Sequence, residues 1–176
     1  MQKRAMYLLI ALGTIVAGLS VVFLAGDRLG LKSETAASAS KRPPPYLPGE
    51  AMTPMAGVDY HAADRTVLIF IRSTCNFCIR SVPFYQRLVT VRNQRGVSTQ
   101  IIGAALTSDK GAEGFPAARG WSPDRMIRFD LGQVKVKGVP TILVVDRQGK
   151  VQETWFGQLS EQQQGELMTA AGLGAT

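Results

Sequence analysis

The distribution of apolar and polar positions divides the chain into three stretches of different character. The first apolar block runs from Met6 to Gly26, 21 residues without a charged side chain, behind the short basic start Met1-Gln2-Lys3-Arg4. As a helix rising about 1.5 Å per residue it is about 31 Å long, the thickness of a bilayer core. A cleaved secretory signal has a shorter apolar region with a small-residue site close behind it. Here the small-residue run Ala37-Ser38-Ala39 lies more than ten residues beyond Gly26. The pattern therefore predicts an uncleaved, single-pass membrane anchor over 6–26. Lys3 and Arg4 place its start in the cytoplasm, although Arg28 and Lys32 follow the block closely.

The third stretch changes period repeatedly. Thr66 to Ile71 is a continuous apolar run of strand length, as expected for a strand covered on both faces. From Asn76 to about Val91, Ile79, Val82, Leu88 and Val89 fall near helical spacing, interrupted by Pro83. Ser98 to Leu106 reads as a second buried strand and Lys110 to Arg119 as a weak, glycine-broken helix. Thr141 to Val145 is a third strand. Asp146 to Gly149 is a turn, with Lys150 to Phe156 pairing back as a hairpin. Ser160 and Gln163 form a capping box for a last helix ending near Gly172. Strands alternating with helices and closing on a hairpin imply an α/β fold.

Between anchor and domain, residues 33–50 are small, polar and proline-rich, with Pro43, Pro44, Pro45 and Pro48 favouring extended polyproline II. The organisation expected is a basic N-terminus over 1–5, the anchor over 6–26, a tether over 27–57 and a domain over 58–176. Charge follows that division. Of the net charge of +7, a surplus of four falls within residues 1–49, and the other three are spread over the remainder. No basic run with interleaved aromatics exists, which argues against a nucleic-acid surface.

The chain holds two cysteines and one histidine, His61. That excludes a multi-disulfide scaffold, a four-cysteine iron–sulfur cluster and a Cys/His zinc site of usual make-up. Both cysteines stand in Cys75-Asn76-Phe77-Cys78, after a buried strand and at the start of a helix. Their two sulfurs can close a small ring. Cys75 would sit over unpaired backbone N–H groups at the positive end of the helix, which favour its thiolate, the species that attacks a disulfide. Cys78, one turn inward, would resolve the mixed disulfide. Arg72 and Arg80 lie near enough in sequence to favour the thiolate or to be solvated surface charges. Other readings are a structural disulfide, which would constrain little chain, and a copper or protein-binding module without catalysis. Covalent haem attachment needs His where Ile79 stands.

A second feature is Gly138-Val139-Pro140-Thr141, directly before the third strand. Proline starts a strand there without needing a ladder donor. A cis bond at Val139–Pro140 would turn the Val139 backbone outward to pair with an extended substrate, but sequence does not fix the isomer.

Taken together, strand–Cys-x-x-Cys–helix, Pro83 five residues after Cys78, Gly138-Val139-Pro140-Thr141 before a strand, and Asp146-Arg147-Gln148-Gly149-Lys150 in the closing hairpin resemble the thioredoxin-like superfamily. The span from Cys78 to Pro140 is similar to that of its membrane-anchored TlpA-like branch, which carries an extra strand–helix insertion. The resemblance covers about residues 58–173. It implies a central mixed sheet flanked by helices, a cis peptide at Val139–Pro140 packed against the cysteines, and thiol–disulfide exchange. Cys75 and Cys78 would be catalytic, with Thr74, Phe77, Val139 and Pro140 facing substrate. No cofactor or metal is expected beyond the redox-active Cys75–Cys78 disulfide.

The expected partners are protein thiols or disulfides, an upstream membrane or extracytoplasmic redox protein, and lipid along residues 6–26. The domain would face the periplasm or the outside of the cytoplasmic membrane. The sequence departs from the family at Thr74, where Trp is usual, at Ile69, where thioredoxins bury an acid, and at Ser81, where TlpA-like proteins often have Glu. Peroxidase chemistry is disfavoured, since Arg72 stands where it needs Thr.

Overall fold

The computed structural model describes residues 46–130 and 132–174. The expected N-terminus over 1–5, anchor over 6–26 and first part of the tether, 27–45, lie outside the described residues. Among the described residues no helix is long and apolar enough to cross a membrane.

Five strands form one mixed sheet: β1 (Arg65–Ile71), β2 (Thr99–Leu106), β3 (Arg125–Phe129), β4 (Thr141–Asp146) and β5 (Val151–Phe156). Their order across the sheet is β3-β2-β1-β4-β5. β2 runs parallel to both β1 and β3, whereas β4 is antiparallel to β1 and β5. β1 is central, and every residue from Thr66 to Ile71 is buried. That is why its sequence is an unbroken apolar run rather than an alternation.

Alternation reappears in where the side chains go. Val67, Ile69 and Ile71 join Ile101, Ile142 and Val144 in a core with Cys78, Tyr85, Leu88 and Leu167 from the helices. Leu68 and Phe70 face the other way, into a core with Ile102, Leu143 and Val145. The helices α1 (Asn76–Arg80), α2 (Val82–Arg95) and α3 (Glu161–Ala170) all contribute to the first core. The second is closed by Tyr46, Met52, Met55, Val134 and Val136 from irregular segments. The central mixed sheet is therefore flanked by helices, as the resemblance implied, with α1, α2 and α3 all on the face of the first core.

Tyr46, Met52 and Met55 fall in the stretch assigned to the tether, yet all three are buried. Hydrogen bonds from Gly49 N–H to Val151 O (2.7 Å), Val151 N–H to Glu50 O (2.8 Å) and Met52 N–H to Gly149 O (2.8 Å) lay this segment along β5. The packed unit thus starts before residue 58. Proline and small residues disguised it, because its few large apolar side chains are too widely spaced to show a period.

The region between β2 and β4 also differs from expectation. Lys110 to Arg119 forms turns and a single 3-10 turn at Ala117–Arg119 in place of a helix. β3 lies where the resemblance implies an added strand, but no periodicity marks it. Its two arginines mask a short alternation in which Ile127 and Phe129 are buried. The inserted strand is present, paired at the sheet edge, without a regular helix beside it. The terminal helix follows its sequence signal, with Ser160 and Gln163 exchanging both bonds of a capping box.

Candidate active site

The site grows out of the end of β1. After Ile71 the chain makes a turn in which Cys75 N–H donates to Arg72 O (3.1 Å). Cys75 then occupies the N-cap of α1 in extended conformation, where its Sγ accepts the Cys78 N–H at 3.2 Å. A cysteine at an N-cap offers sulfur to a backbone donor that the helix itself cannot satisfy. α1 stops at Ser81, which caps it and also starts α2, with Pro83 in the first turn of α2. Proline is tolerated at that position because its missing N–H would have had no helical acceptor.

The two cysteines are unlike. Both are free thiols, Cys75 half-buried and Cys78 wholly buried. Burial pushes the Cys78 thiol well above its usual range, and its hydrogen bond with Cys75 adds to the rise.

Opposite them, Val139–Pro140 is a cis peptide, with Pro140 buried and Val139 half-exposed. The Cys75 thiol lies 3.6 Å from Val139 O. This loop is pinned on both sides: Thr141 Oγ1 donates to Gly138 O (2.7 Å), and Gly157 N–H donates to Pro140 O (2.8 Å). The structure thus gathers Cys75, Cys78, Val139 and Pro140 at one end of the central strands.

Thr74 and Phe77 lie on the exposed rim, Phe77 with 52% of its surface accessible. Arg80 does not point its charge at a sulfur. Its guanidinium lies 4.7 Å from the centre of the Phe77 ring and its Nε donates to Gln158 Oε1 (3.1 Å). Arg72 is exposed, as is His61. The Ser81 hydroxyl is engaged in donating to Phe77 O at 2.8 Å. A second exposed aromatic, Phe156, borders the proline loop at 62% accessibility, its ring close against Gly138.

Two residues near the site have no counterpart in the sequence reading. Tyr85, on α2, is completely buried in the same core as Cys78, and its hydroxyl has no hydrogen-bond partner among the described residues. Burial, and then the neighbouring Cys78, push that hydroxyl well above its ordinary range. Asp109, just beyond β2, accepts the backbone N–H and the hydroxyl of Ser73, two residues before Cys75. The Thr107-Ser108-Asp109 run after a strand is a turn signal, and it could have marked Asp109 as a side chain bonding to backbone. Among the described residues no three Cys, His, Asp or Glu side chains converge to hold a metal ion.

No family model matches the sequence, and no curated protein is similar to it. Solved structures are similar in fold. One is described as a thiol:disulfide interchange protein DsbE from Chlorobium tepidum: TM-score 0.57, 22% identity, over 73% of this chain and 99% of that one. Another thiol:disulfide interchange protein of the thioredoxin family, from Chlorobium tepidum TLS, gives 0.52 at 19% identity over 77% and 100%. The thioredoxin domain of a thiol-disulfide oxidoreductase from Bacteroides vulgatus gives 0.51 at 13% over 70% and 96%. The described unit has the thioredoxin-like fold.

Proposed function

We propose that this chain is a thiol–disulfide oxidoreductase working through Cys75 and Cys78. The observation that carries the reading is the asymmetry of the pair: a partly accessible Cys75 beside the Val139 carbonyl, and a buried Cys78 one turn inward. Support also comes from similar structures whose descriptions name thiol–disulfide interchange.

In the reducing direction, the Cys75 thiolate attacks one sulfur of a substrate disulfide, forming a mixed disulfide and releasing the other substrate sulfur as a thiolate. Cys78 gives up its proton and attacks Cys75 Sγ. The Cys75–Cys78 disulfide forms, the second substrate sulfur leaves, and two electrons have passed from enzyme to substrate. The oxidising direction is the same sequence reversed. The raised proton affinity of Cys78 keeps it neutral until that second attack. The Val139 backbone offers a polar edge for an extended substrate chain, and Thr74 and Phe77 border its path.

Residues 6–26 anchor the protein in the cytoplasmic membrane in this reading, with the domain on the outer side, where protein thiols and a membrane or extracytoplasmic redox protein are its partners. The apolar run behind Lys3 and Arg4 supports that placement. The test is exchange between the full chain and a protein disulfide. The expected result is turnover that the Cys75→Ser variant lacks, and equal rates would refute the assignment. A C-terminal reporter active only in the cytoplasm would refute the topology.

A further inference from the structure

The inserted segment between β2 and β4 does more than lengthen the sheet. Asp109 Oδ2 accepts the Ser73 N–H at 2.6 Å, while Oδ1 accepts the Ser73 hydroxyl at 2.5 Å and the Gly111 N–H at 3.2 Å. Ser73 lies inside the turn that Arg72 O and Cys75 N–H close. Its backbone donor is thus spent on a side chain 36 residues away.

Asp109 is itself held from behind. Arg128, on β3, donates through one nitrogen to Asp109 O (2.7 Å) and Leu106 O (3.2 Å), and through the other to Glu113 Oε1 (3.1 Å). The approach of the two loops leaves no slack. A Cβ on Gly111 would stand 2.6 Å from Ser73 Oγ and 3.1 Å from Ser73 Cβ. Burial alone would raise the Asp109 carboxyl, but the bonds from Ser73 and Gly111 and the charge of Arg128 outweigh it, so the group sits below the usual carboxylate range. It is an ionised acceptor at neutral pH.

We propose that Asp109, supported by Arg128 of the inserted strand, is a positioning residue that braces the Ser73–Cys75 turn and so fixes the direction from which Cys75 attacks. The inference rests on the oxidoreductase reading. The attacking sulfur has two fixed neighbours, Cys78 N–H at 3.2 Å and Val139 O at 3.6 Å. Both distances depend on the turn that delivers Cys75 to the N-cap. Attack on a disulfide needs the three sulfurs in line, so a loosened turn lowers the fraction of encounters that react without altering the surface on which substrate docks.

The experiment compares the full-length wild type with Asp109→Ala, Asp109→Asn and Ser73→Ala, each reducing insulin disulfides with dithiothreitol as electron source. The expected result is a fall in kcat of about tenfold or more for Asp109→Ala with KM within about twofold. Asp109→Asn and Ser73→Ala, which each keep part of the contact, fall in between. A folded Asp109→Ala protein with wild-type kcat, or a loss that tracks only the folded fraction, overturns the brace. Should Asp109→Ala fail to fold, Ser73→Ala carries the comparison, and its retention of full kcat overturns the brace equally.

A wild type no faster than Cys75→Ser sinks the oxidoreductase reading instead. The brace is then judged by amide hydrogen exchange over residues 72–77. Faster exchange in Asp109→Ala or Ser73→Ala supports it and unchanged exchange overturns it.

Discussion

The thiol of Cys75 faces the backbone carbonyl of Val139 at 3.6 Å across 64 residues of sequence. Two loops far apart in sequence meet there, and the meeting divides the cysteines into one that can be reached and one that cannot. Cys78 has no accessible surface.

This division sets the order in which the thiols react. In the reduced chain at neutral pH, iodoacetamide should label Cys75 at least about tenfold faster than Cys78, which is exposed only through opening of the structure. Peptide mass spectrometry over a time course measures both. Equal labelling would show that Cys78 is not shielded.

The Cys78 thiol also makes stability depend on pH on the alkaline side. Its proton is held more tightly in the folded chain than in the unfolded one. The contribution is therefore complete below the ordinary thiol range, about pH 8.5, and drains away as pH rises above it. The urea midpoint of the reduced protein should decline more steeply between about pH 8.5 and 10 than that of Cys78→Ala. The comparison is of slopes, since the variant also loses packing. Parallel slopes would contradict the burial argument.

Gly103, in the middle of β2, is a packing requirement. A Cβ there would collide with Met126 Sδ and lie 2.9 Å from the buried Trp121 ring. Gly103→Ala should destabilise the fold by about 1–3 kcal/mol, the usual cost of overfilling a core. Adding Met126→Ala should recover part of the loss, while the Trp121 contact keeps the recovery incomplete. Thermal melts of the two variants provide the check.

The segment before residue 58 should behave as part of the domain. Tyr46, Met52 and Met55 are each buried, and burying a side chain of this size is worth roughly 1.5–3 kcal/mol. Their sum is a large part of the 5–15 kcal/mol typical of a whole domain. A chain beginning at residue 58 should melt far below one beginning at residue 42, or without cooperativity. Matching melting curves would return these residues to the tether.

The parts of this molecule that could be read in advance are those where a local pattern and a tertiary role coincide. Thr66 to Ile71 and Thr141 to Val145 are apolar throughout because both faces of the central strands are covered. Ser160 and Gln163 announce a helix start through chemistry that needs no distant partner. The cysteine pair and Val139-Pro140 were legible as motifs, and the structure brings them together. Arg125 to Phe129 escaped because an edge strand needs only Ile127 and Phe129 inward, too few to establish a period beside two arginines. Asp109 escaped for another reason. Its partner, Ser73, is far away in sequence, and nothing local to either residue marks the pairing. Arg80 was a charge without a destination until Phe77 and Gln158 were seen beside it.

The stretch from Gly49 to Met52 lies along β5, the last strand of the sheet. An outermost strand with open N–H and C=O groups is a template on which a second molecule can add a strand. Where the chain enters the domain it takes up both backbone groups of Val151, the first residue of β5, closing the start of that template with its own residues. The entry segment therefore denies an incoming strand the backbone groups at that end of the edge. Proteolytic clipping between Glu50 and the start of β1 would free a strand edge along with the domain, and the released fragment should aggregate more readily than the intact chain.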